Sequence, residues 1–325
     1  MHAFQRFQQQ FTTYLERHPF AGQPPALYEP VNYILSLGGK RLRPAVVLMA
    51  CHLFHEEEEA ALPAALAVEV FHNFTLVHDD IMDEAPLRRG QATVHQRYGL
   101  NAGILSGDVM LILAYEGLLQ AYEAGQAADL LRVFNRVARE VCEGQQYDMS
   151  FESREDVSIP EYLRMIELKT AVLFGGALEM GAIVGRGGAE NARQLYEFGR
   201  NAGIAFQLQD DILDTFGDPE KFGKKVGGDI VQNKKTYLVL KALEDGSDLQ
   251  RDRLRHLLSI QPSDERAKVE EVRALFETLH IREKAEQVKA DFRQKAHRHL
   301  EAVKAPSARK AVLQELADYL LGREE

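Results

Sequence analysis

The sequence predicts an all-α protein, a large single-domain helical bundle that covers residues 1–325. Almost every long segment repeats its apolar residues at helical spacing, and no segment alternates β-branched residues as a strand does. No repeat, low-complexity tract or Pro/Ser-rich linker divides the chain. Since some of the helices are strongly apolar, the bundle is expected to enclose a central cavity or to form a large dimer interface.

The predicted helices follow one another between breaks marked by proline and glycine. An apolar helix is expected directly after the segment GGKRLRP. Another begins at Leu62 and places an apolar residue every three or four positions up to Ile81, which gives it one apolar face. The segment 101–124 is apolar on most sides and is expected to be buried. Further helices are predicted at 127–147, 159–184, 189–215, 234–244, 248–259, 264–279, 280–303 and 307–321.

The composition excludes several classes of protein. The chain has 39 Lys and Arg against 49 Asp and Glu, a net charge of −10, so it lacks the broad cationic surface that nucleic acids require. Cys51 and Cys142 are too few for a disulfide scaffold and wrongly spaced for zinc. The polar start of the chain does not resemble a signal peptide, and the longest apolar runs fall short of the roughly 18 residues that span a bilayer. We therefore expect a cytoplasmic protein without spanning segments.

Two aspartate-rich motifs carry the strongest functional signal. DDIMD occupies 79–83 on the helix that begins at Leu62, and DDILD occupies 210–214 on a later helix. In each motif the first and last carboxylates stand at i and i+4, on one helix face. A single motif of this kind is often a solvated acidic face, but clustered acids repel one another and a structural role seldom requires two. Facing each other across a cavity, the motifs would bind Mg²⁺, which takes a few carboxylates and completes its shell with waters and phosphate oxygens.

One polar residue lies on the same face as each motif. His72 stands two turns before Asp79, and Gln207 has the same relation to Asp214. A lone His or Gln is more often a satisfied core group than a ligand contact. Here the shared face favours contact with a ligand.

Basic residues cluster near both motifs. The clusters are GGKRLRP at 38–44, RRG at 88–90, KT at 169–170 inside an apolar helix, and GKK and NKK at 223–225 and 233–235. Each cluster alone is best explained as surface. Together they indicate a diphosphate bound through metal ions and a second, metal-free diphosphate bound by Lys and Arg. The apolar helices around them, with Phe71 and Phe74, indicate a hydrocarbon on the diphosphate, and the absence of GxxxxGK[ST] or GxGxxG removes the usual nucleotide motifs.

From GGKRLRP through both DDxxD motifs to Asn233 and Lys234, the sequence resembles the trans-isoprenyl diphosphate synthases, or polyprenyl synthetases. The resemblance covers roughly residues 38–235. Within the family, the sequence is similar to the short-chain geranylgeranyl and farnesyl diphosphate synthases. It implies the isoprenoid synthase fold, a homodimer with a deep cavity between helices, and no nucleic-acid partner. It also implies trans-prenyltransferase activity on isopentenyl diphosphate and an allylic diphosphate.

The resemblance implies a role for each matching residue. Mg²⁺, as three ions with substrate bound, would be held by Asp79, Asp83, Asp210 and, in support, Asp214. Isopentenyl diphosphate would be bound by Lys40, Arg43, His72 and Arg89. The allylic diphosphate would be bound by Arg88, Lys169, Thr170, Gln207, Lys224 and Lys234, of which Lys169, Thr170 and Gln207 would act next to the reacting carbons. Lys225 is the alternative to Lys224, because the stretch GKKVG aligns either lysine with the family's position.

The implied reaction is a head-to-tail 1'-4 condensation. Metal ions and cations stabilise the departing diphosphate, the double bond of isopentenyl diphosphate attacks the allylic cation, and a proton is lost to the released diphosphate. Thr170, Gln207 and nearby backbone carbonyls would stabilise the cation by their dipoles. The cavity must exclude water, which would quench the cation.

Product length is a steric matter in this family, set by bulky residues just before the first motif. The eighth, fifth and fourth positions upstream are Phe71, Phe74 and Thr75. As the floor of the cavity they predict a short product, geranylgeranyl diphosphate (C20), with farnesyl diphosphate (C15) as the alternative and long quinone-tail chains disfavoured. The other interpretation is that both phenylalanines are ordinary core aromatics.

Two other functions are compatible with part of the pattern. A class I terpene cyclase also uses DDxxD and Mg²⁺, but it needs no second diphosphate site and usually has a different second motif. A non-catalytic subunit of a heteromeric prenyl synthase, or a helical binding protein, would be expected to lose metal ligands, whereas both motifs are intact.

Overall fold

The computed structural model describes residues 2–120, 126–218, 226–260 and 264–321, and these are almost entirely helical, which confirms the all-α prediction. The first α-helices are α1 (His2–Arg17), α2 (Pro25–Ser36), α3 (Leu42–His52), α4 (Leu62–Met82), α5 (Val94–Tyr98), α6 (Leu100–Gln120), α7 (Ala127–Ser153) and α8 (Ile159–Ile166). The later ones are α9 (Val172–Val184), α10 (Ala189–Phe216), α11 (Gly228–Val231), α12 (Tyr237–Asp245), α13 (Asp248–Ser259), α14 (Glu265–Thr278), α15 (Ile281–Ala302) and α16 (Ser307–Leu321). A short 3₁₀ helix covers Glu58–Ala61.

The predicted helices agree with the structure except at four places. The helix predicted at 127–147 continues to Ser153 as α7. Residues 121–124, at the end of the predicted segment 101–124, lie outside the described residues. The predicted helix 159–184 contains a π-helical turn, Glu167–Ala171, between α8 and α9. The predicted helix 234–244 begins only at Tyr237, because Thr236 before it is extended and Asn233 is left-handed with φ 58°.

A two-stranded hairpin corrects the expectation that the chain contains no strand. β1 (Leu87–Arg88) pairs antiparallel with β2 (Gln91–Ala92). The turn residues Arg89 and Gly90 have φ values of 53° and 76°, the left-handed pair of a type I′ turn. Strands of two residues are too short to show any alternation in the sequence.

The described chain forms two compact units. The first contains Met1–Arg136, Gly176–Tyr196 and Val303–Leu313, and the second contains Val137–Gly175, Glu197–Ala302 and Gln314–Glu325. The organisation of 1–325 as one domain stays a prediction.

The first unit is built around α4. Its N-terminal part is buried on most sides, with Ala67, Val68 and Val70 fully inaccessible. The neighbouring α6 lies close enough that a side chain on Gly117 would come within 3.2 Å of the Cβ of Ala67. This packing places the C-terminal end of α4, with the first acidic motif, at the edge of the core.

The second unit has its own apolar core. It joins the C-terminal half of α10 to helices that follow it, with Leu238, Val272, Phe276 and Ile281 among its inaccessible side chains. Capping boxes begin two of its helices, at Ser158 before α8 and at Ser247 before α13. The core supports the second acidic motif, because Leu208 and Ile212 of α10 belong to it.

Two helical segments correct the expectation about apolar length. Glu58–Met82 and Leu100–Gln120 are each long and apolar enough to cross a membrane by composition, with a mean hydropathy of 1.5. Of the most apolar window, 67% is buried inside the protein in the first segment and 39% in the second. Core helices of soluble proteins meet the same criterion, so the observation is weak support for a membrane location.

Candidate functional site

The loop before α3 gives its basic residues different environments. Arg41 is buried, forms an ion pair with Glu69 of α4 and donates to the carbonyl oxygen of Leu35. The backbone of Arg41 is left-handed, with φ 46°, so the chain turns at the residue that pairs with Glu69. Lys40 stays exposed and Arg43 is half-buried. Arg41 is thus a structural anchor within the loop.

Arg43 and His72 meet on the face of α4 that leads to Asp79. Nη1 of Arg43 lies 3.3 Å from Nε2 of His72, a hydrogen bond in which the neutral imidazole accepts. Burial lowers the pKa of His72 well below its usual range, and the guanidiniums of Arg43, Arg89 and Arg88 lower it further. Nε of Arg43 is buried and makes no hydrogen bond within the described structure. The cluster is therefore cationic and retains an unused donor.

The hairpin brings Arg89 to the same cluster. Nη1 of Arg89 donates to the carbonyl oxygen of Gly38, and the hydroxyl of Tyr33 holds β2 by a 2.6 Å hydrogen bond to the carbonyl of Ala92. Gly39 has a φ of 124°, and a side chain there would come within 2.8 Å of Cζ of Arg89. Gly39 therefore suits this position both by its backbone conformation and by the space it leaves for the arginine. The predicted isopentenyl diphosphate residues Arg43, His72 and Arg89 do lie together.

The first acidic motif contains an anchor between its outer carboxylates. Asp80 is 1% exposed, and Nε of Arg88 donates to its two oxygens at 2.9 and 2.8 Å while Nη2 donates at 2.7 Å. Asp79 is half-buried, and Asp83 is exposed at the C-terminus of α4. The guanidinium of Arg88 is thus held by Asp80, and its contact with an allylic diphosphate stays a prediction.

The aromatic residues before the motif differ in accessibility. Phe71 is 1% exposed, and its ring packs edge-on against Phe134 with centroids 5.2 Å apart. Phe74 is half-buried and packs edge-on against His78 at 4.9 Å. The hydroxyl of Thr75 donates to the carbonyl of His72. Phe71 is a core aromatic, whereas Phe74 retains accessible surface.

In the second unit, the π-helical turn carries Lys169 and Thr170. Nζ of Lys169 donates to Oδ2 of Asp148 on α7 at 2.5 Å. A side chain on Gly144 would come within 2.3 Å of the backbone nitrogen of Lys169, so α7 touches the turn directly. π-helical turns inside α-helices occur often at functional sites. Here the turn interrupts the helix at the two residues for which the sequence predicts a ligand.

A polar network links this turn to the second acidic motif. The hydroxyl of Thr170 lies 3.4 Å from Oε1 of Gln207, and the side chain of Gln207 in turn hydrogen-bonds Asp211. Asp211 is 4% exposed and accepts a hydrogen bond from the hydroxyl of Tyr162. Burial raises the pKa of Asp211 to about 8, an effect strengthened by the charges of Asp229 and other acids. The middle aspartate is buried here too, as Asp80 is in the first motif.

Sequence reasoning missed Asp229, which lies beside the second motif. Its backbone nitrogen donates to Oδ2 of Asp214 at 2.9 Å, and its Oδ1 lies 3.1 Å from Nζ of Lys234. Burial and the charge of Asp229 raise the pKa of Asp214. Asp210 is half-buried on α10. A glycine pair directly before Asp229 was the one available signal, since it allows the backbone to approach Asp214.

The carboxylates suit Mg²⁺ by their chemistry and number. Within residues 2–120, 126–218, 226–260 and 264–321, no three His, Cys, Asp or Glu side chains form a group that could hold a metal ion alone. Asp79 with Asp83, and Asp210 with Asp214, offer hard oxygen donors at one-turn spacing. Such open pairs fit an ion that keeps waters and takes substrate phosphates. Lys224 and its alternative Lys225 lie outside the described residues.

The sequence matches one known family. The polyprenyl synthetase profile matches residues 24–276, which include every predicted site residue. A short chain isoprenyl diphosphate synthase of Methanothermobacter thermautotrophicus is 38% identical over 301 residues, 93% of this chain and 91% of the relative. A geranylfarnesyl diphosphate synthase of Natronomonas pharaonis is 35% identical over 318 residues, again 93% of this chain and 91% of the relative.

A solved structure is similar over almost the whole chain. The crystal structure of a geranylgeranyl pyrophosphate synthase superposes with a TM-score of 0.93 at 45% sequence identity, and the match covers 99% of each chain.

Proposed function

The chain belongs to the polyprenyl synthetase family and is a trans-prenyltransferase, and from this premise we propose that it condenses isopentenyl diphosphate with an allylic diphosphate. The cationic cluster of Arg43, His72 and Arg89 is the observation that carries the proposal. It would provide a diphosphate site in the first unit that uses a neutral histidine and guanidinium donors. Lys40, exposed on the same loop, would add a further contact.

The second diphosphate would bind at the carboxylates of both motifs. Asp79, Asp83, Asp210 and Asp214 would hold Mg²⁺, as three ions with substrate bound. The ions would neutralise the charge that develops on the departing diphosphate. The cationic side chains Arg88, Lys169, Lys224 and Lys234 would bind the same diphosphate.

For the carbon chemistry, the protein then has only to position the two substrates and to exclude water from the cavity. The bond between C1 of the allylic substrate and its bridging oxygen breaks, and the electron pair leaves with the diphosphate. The double bond of isopentenyl diphosphate forms the new carbon–carbon bond, and a proton passes from its C2 to the released diphosphate. The dipoles of Thr170 and Gln207, already joined in one network, would stabilise the allylic cation in between.

For the product we propose geranylgeranyl diphosphate, with farnesyl diphosphate as the alternative. Phe74 is half-buried four residues before His78, whereas Phe71 is buried and packs against Phe134 in the core. Phe74 would therefore be the floor of the cavity, with Thr75 leaving room beside it. The similar crystal structure is that of a geranylgeranyl pyrophosphate synthase, which agrees with this length.

We also propose that the enzyme is a homodimer whose subunits meet through α6. Leu105, Ile112 and Leu119 are 55–58% exposed and stand seven residues apart, so they form one apolar stripe along the helix. A second copy of the chain presents the same stripe and would cover it. A cytoplasmic location stays a prediction.

Product analysis of the full-length enzyme tests the proposed activity. With Mg²⁺ and isopentenyl diphosphate, dimethylallyl, geranyl and farnesyl diphosphates should all be converted to a C20 diphosphate, and a chelator should abolish turnover. Phe74→Ala should lengthen the product, and Phe292→Ala, a half-buried phenylalanine of the second unit, is the control that should not. Hydrocarbon formed without isopentenyl diphosphate would instead indicate a cyclase, and an unchanged product with Phe74→Ala would overturn the role of that residue.

A further inference from the structure

The turn after α11 presents Lys234 through an unusual backbone. Asn233 has a left-handed φ of 58°, and its backbone nitrogen donates to the carbonyl of Ile230 at 3.2 Å. The backbone nitrogen of Lys234 donates to the carbonyl of Asp229 at 2.9 Å. Most residues avoid this conformation, although Asn tolerates it. The position of Lys234 therefore depends on what holds Asn233.

Lys268 of α14 holds the side chain of Asn233. Lys268 is 3% exposed, and its Nζ donates to Oδ1 of Asn233 and, at 3.3 Å, to the carbonyl oxygen of Ile260. Both acceptors are neutral, and burial lowers the pKa of this lysine. Since burying an ammonium group costs free energy, these hydrogen bonds must offset that cost.

A second contact from α14 supports the same turn. Val269, the next residue, packs against Gly227, and a side chain on Gly227 would come within 2.6 Å of Cγ1 of Val269. Gly227 has a φ of 86° and its backbone nitrogen donates to the carbonyl of Asp214 at 2.6 Å. α14 thus contacts both ends of the segment that carries Asp229.

We propose that Lys268 is a positioning residue: through Asn233 it fixes the turn that presents Lys234 and Asp229 to the metal-bound allylic diphosphate. This inference rests on the proposed function, because it concerns the same diphosphate site. Lys268 itself touches no substrate. It acts by removing alternative conformations of the turn, so that Lys234 is in place when the diphosphate arrives.

The test compares four single variants and one double variant of the full-length enzyme. Lys268→Met removes the donor, Lys268→Arg restores one, and Asn233→Gly removes the acceptor while still allowing a positive φ. Lys284→Met is the matched control, because Nζ of Lys284 also donates to one side chain and one carbonyl, those of Asp245 and Leu279, away from the turn. The readouts are KM for each substrate, kcat, and calorimetric binding of inorganic pyrophosphate with Mg²⁺.

Lys268→Met should raise KM for the allylic diphosphate and weaken pyrophosphate binding by about tenfold, since the turn loses the donor that holds Asn233. KM for isopentenyl diphosphate should change less than about twofold, because that site lies in the first unit. Lys268→Arg should recover part of the loss. Adding Asn233→Gly to Lys268→Met should cause no further loss, because both substitutions break one interaction.

Three results would overturn the inference while the proposed function stands: equal effects on both KM values, a Lys268→Met enzyme that behaves like Lys284→Met, or additive losses in the double variant. If Lys268→Met does not fold, Asn233→Gly and Lys268→Arg decide by the same comparison. A wild-type enzyme without turnover on any allylic primer would overturn the proposed function, and the inference with it.

Discussion

Arg41 and Arg43 are two residues apart, yet their side chains lie in different environments. Arg41 is buried in an ion pair with Glu69, whereas Arg43 donates to His72 and retains a buried, unused Nε donor. Breaking a buried ion pair by removing one partner typically lowers the free energy of unfolding by about 3–5 kcal/mol. The ion pair with Glu69 therefore fixes the side chain of Arg41. The same loop can therefore present Arg43 to a ligand without reorganising.

His72 should make the stability of the enzyme depend on pH. Its pKa is lowered by burial first and by the neighbouring guanidiniums second, so the folded protein resists a proton that the unfolded chain takes up below about pH 6.5. The unfolded state then binds more protons, and the free energy of unfolding should fall as pH falls below 6.5, by up to about 1.4 kcal/mol per pH unit. Urea unfolding of the wild type and of His72→Gln between pH 7.5 and 5.5 measures the difference.

The control for this prediction is His280→Gln, because the side chain of His280 is 75% exposed. Its free energy of unfolding should change with pH as that of the wild type does, apart from any constant difference due to the left-handed backbone of His280, φ 54°. A His72→Gln variant that loses stability on acidification as steeply as the wild type would contradict the assigned neutral state of His72.

Among the elements, the π-helical turn carries the two residues, Lys169 and Thr170, on which the proposed chemistry of the second unit depends. Gly144→Ala would place a methyl group against the backbone of Lys169, and backbone atoms cannot move aside as a flexible side chain can. We expect a loss of about 1–3 kcal/mol in the free energy of unfolding, together with a fall in kcat, because the turn that carries Lys169 and Thr170 must shift. Denaturant unfolding and steady-state kinetics measure both.

Cys142→Ala is the control for Gly144→Ala, since Cys142 is exposed on the same helix. It should leave stability and kcat near the wild-type values. An active Gly144→Ala enzyme with unchanged stability would mean that α7 does not constrain the turn.

The helices and the acidic motifs were predictable from sequence because both depend on local spacing. DDxxD at i and i+4 is visible in one turn of helix, and so are the apolar faces of α4 and α10. Glu69 and Lys268 were not predictable, because each is a single charged residue whose partner lies 28 or 35 residues away in the chain. Asp229 was missed although its partner Lys234 is close in the chain and a glycine pair precedes it. The hairpin and the π-helical turn were missed for a different reason, since two to five residues are too few to show a period.

At the scale of the whole molecule, the apolar stripe on α6 predicts the oligomeric state. Ile112→Lys places a charge in the middle of the stripe and should convert the dimer, of twice 36.7 kDa, into a monomer. Light scattering coupled to size-exclusion chromatography measures the mass. Leu249→Lys is the control, because Leu249 is 81% exposed on α13 and should not affect assembly. A monomeric wild type, or a dimeric Ile112→Lys variant, would contradict the proposed interface.

The burial of Asp80 and Asp211 has a consequence for how the two motifs vary among related sequences. Asp80 is held by Arg88 of the hairpin and Asp211 by Tyr162 of α8, so each motif has one structural carboxylate between the two that are proposed to bind the ion. Across related sequences, the second position of each motif should therefore covary with the residue that holds it. If the outer two carboxylates bind the ion as proposed, the first and fifth positions should not covary with any other residue of the chain.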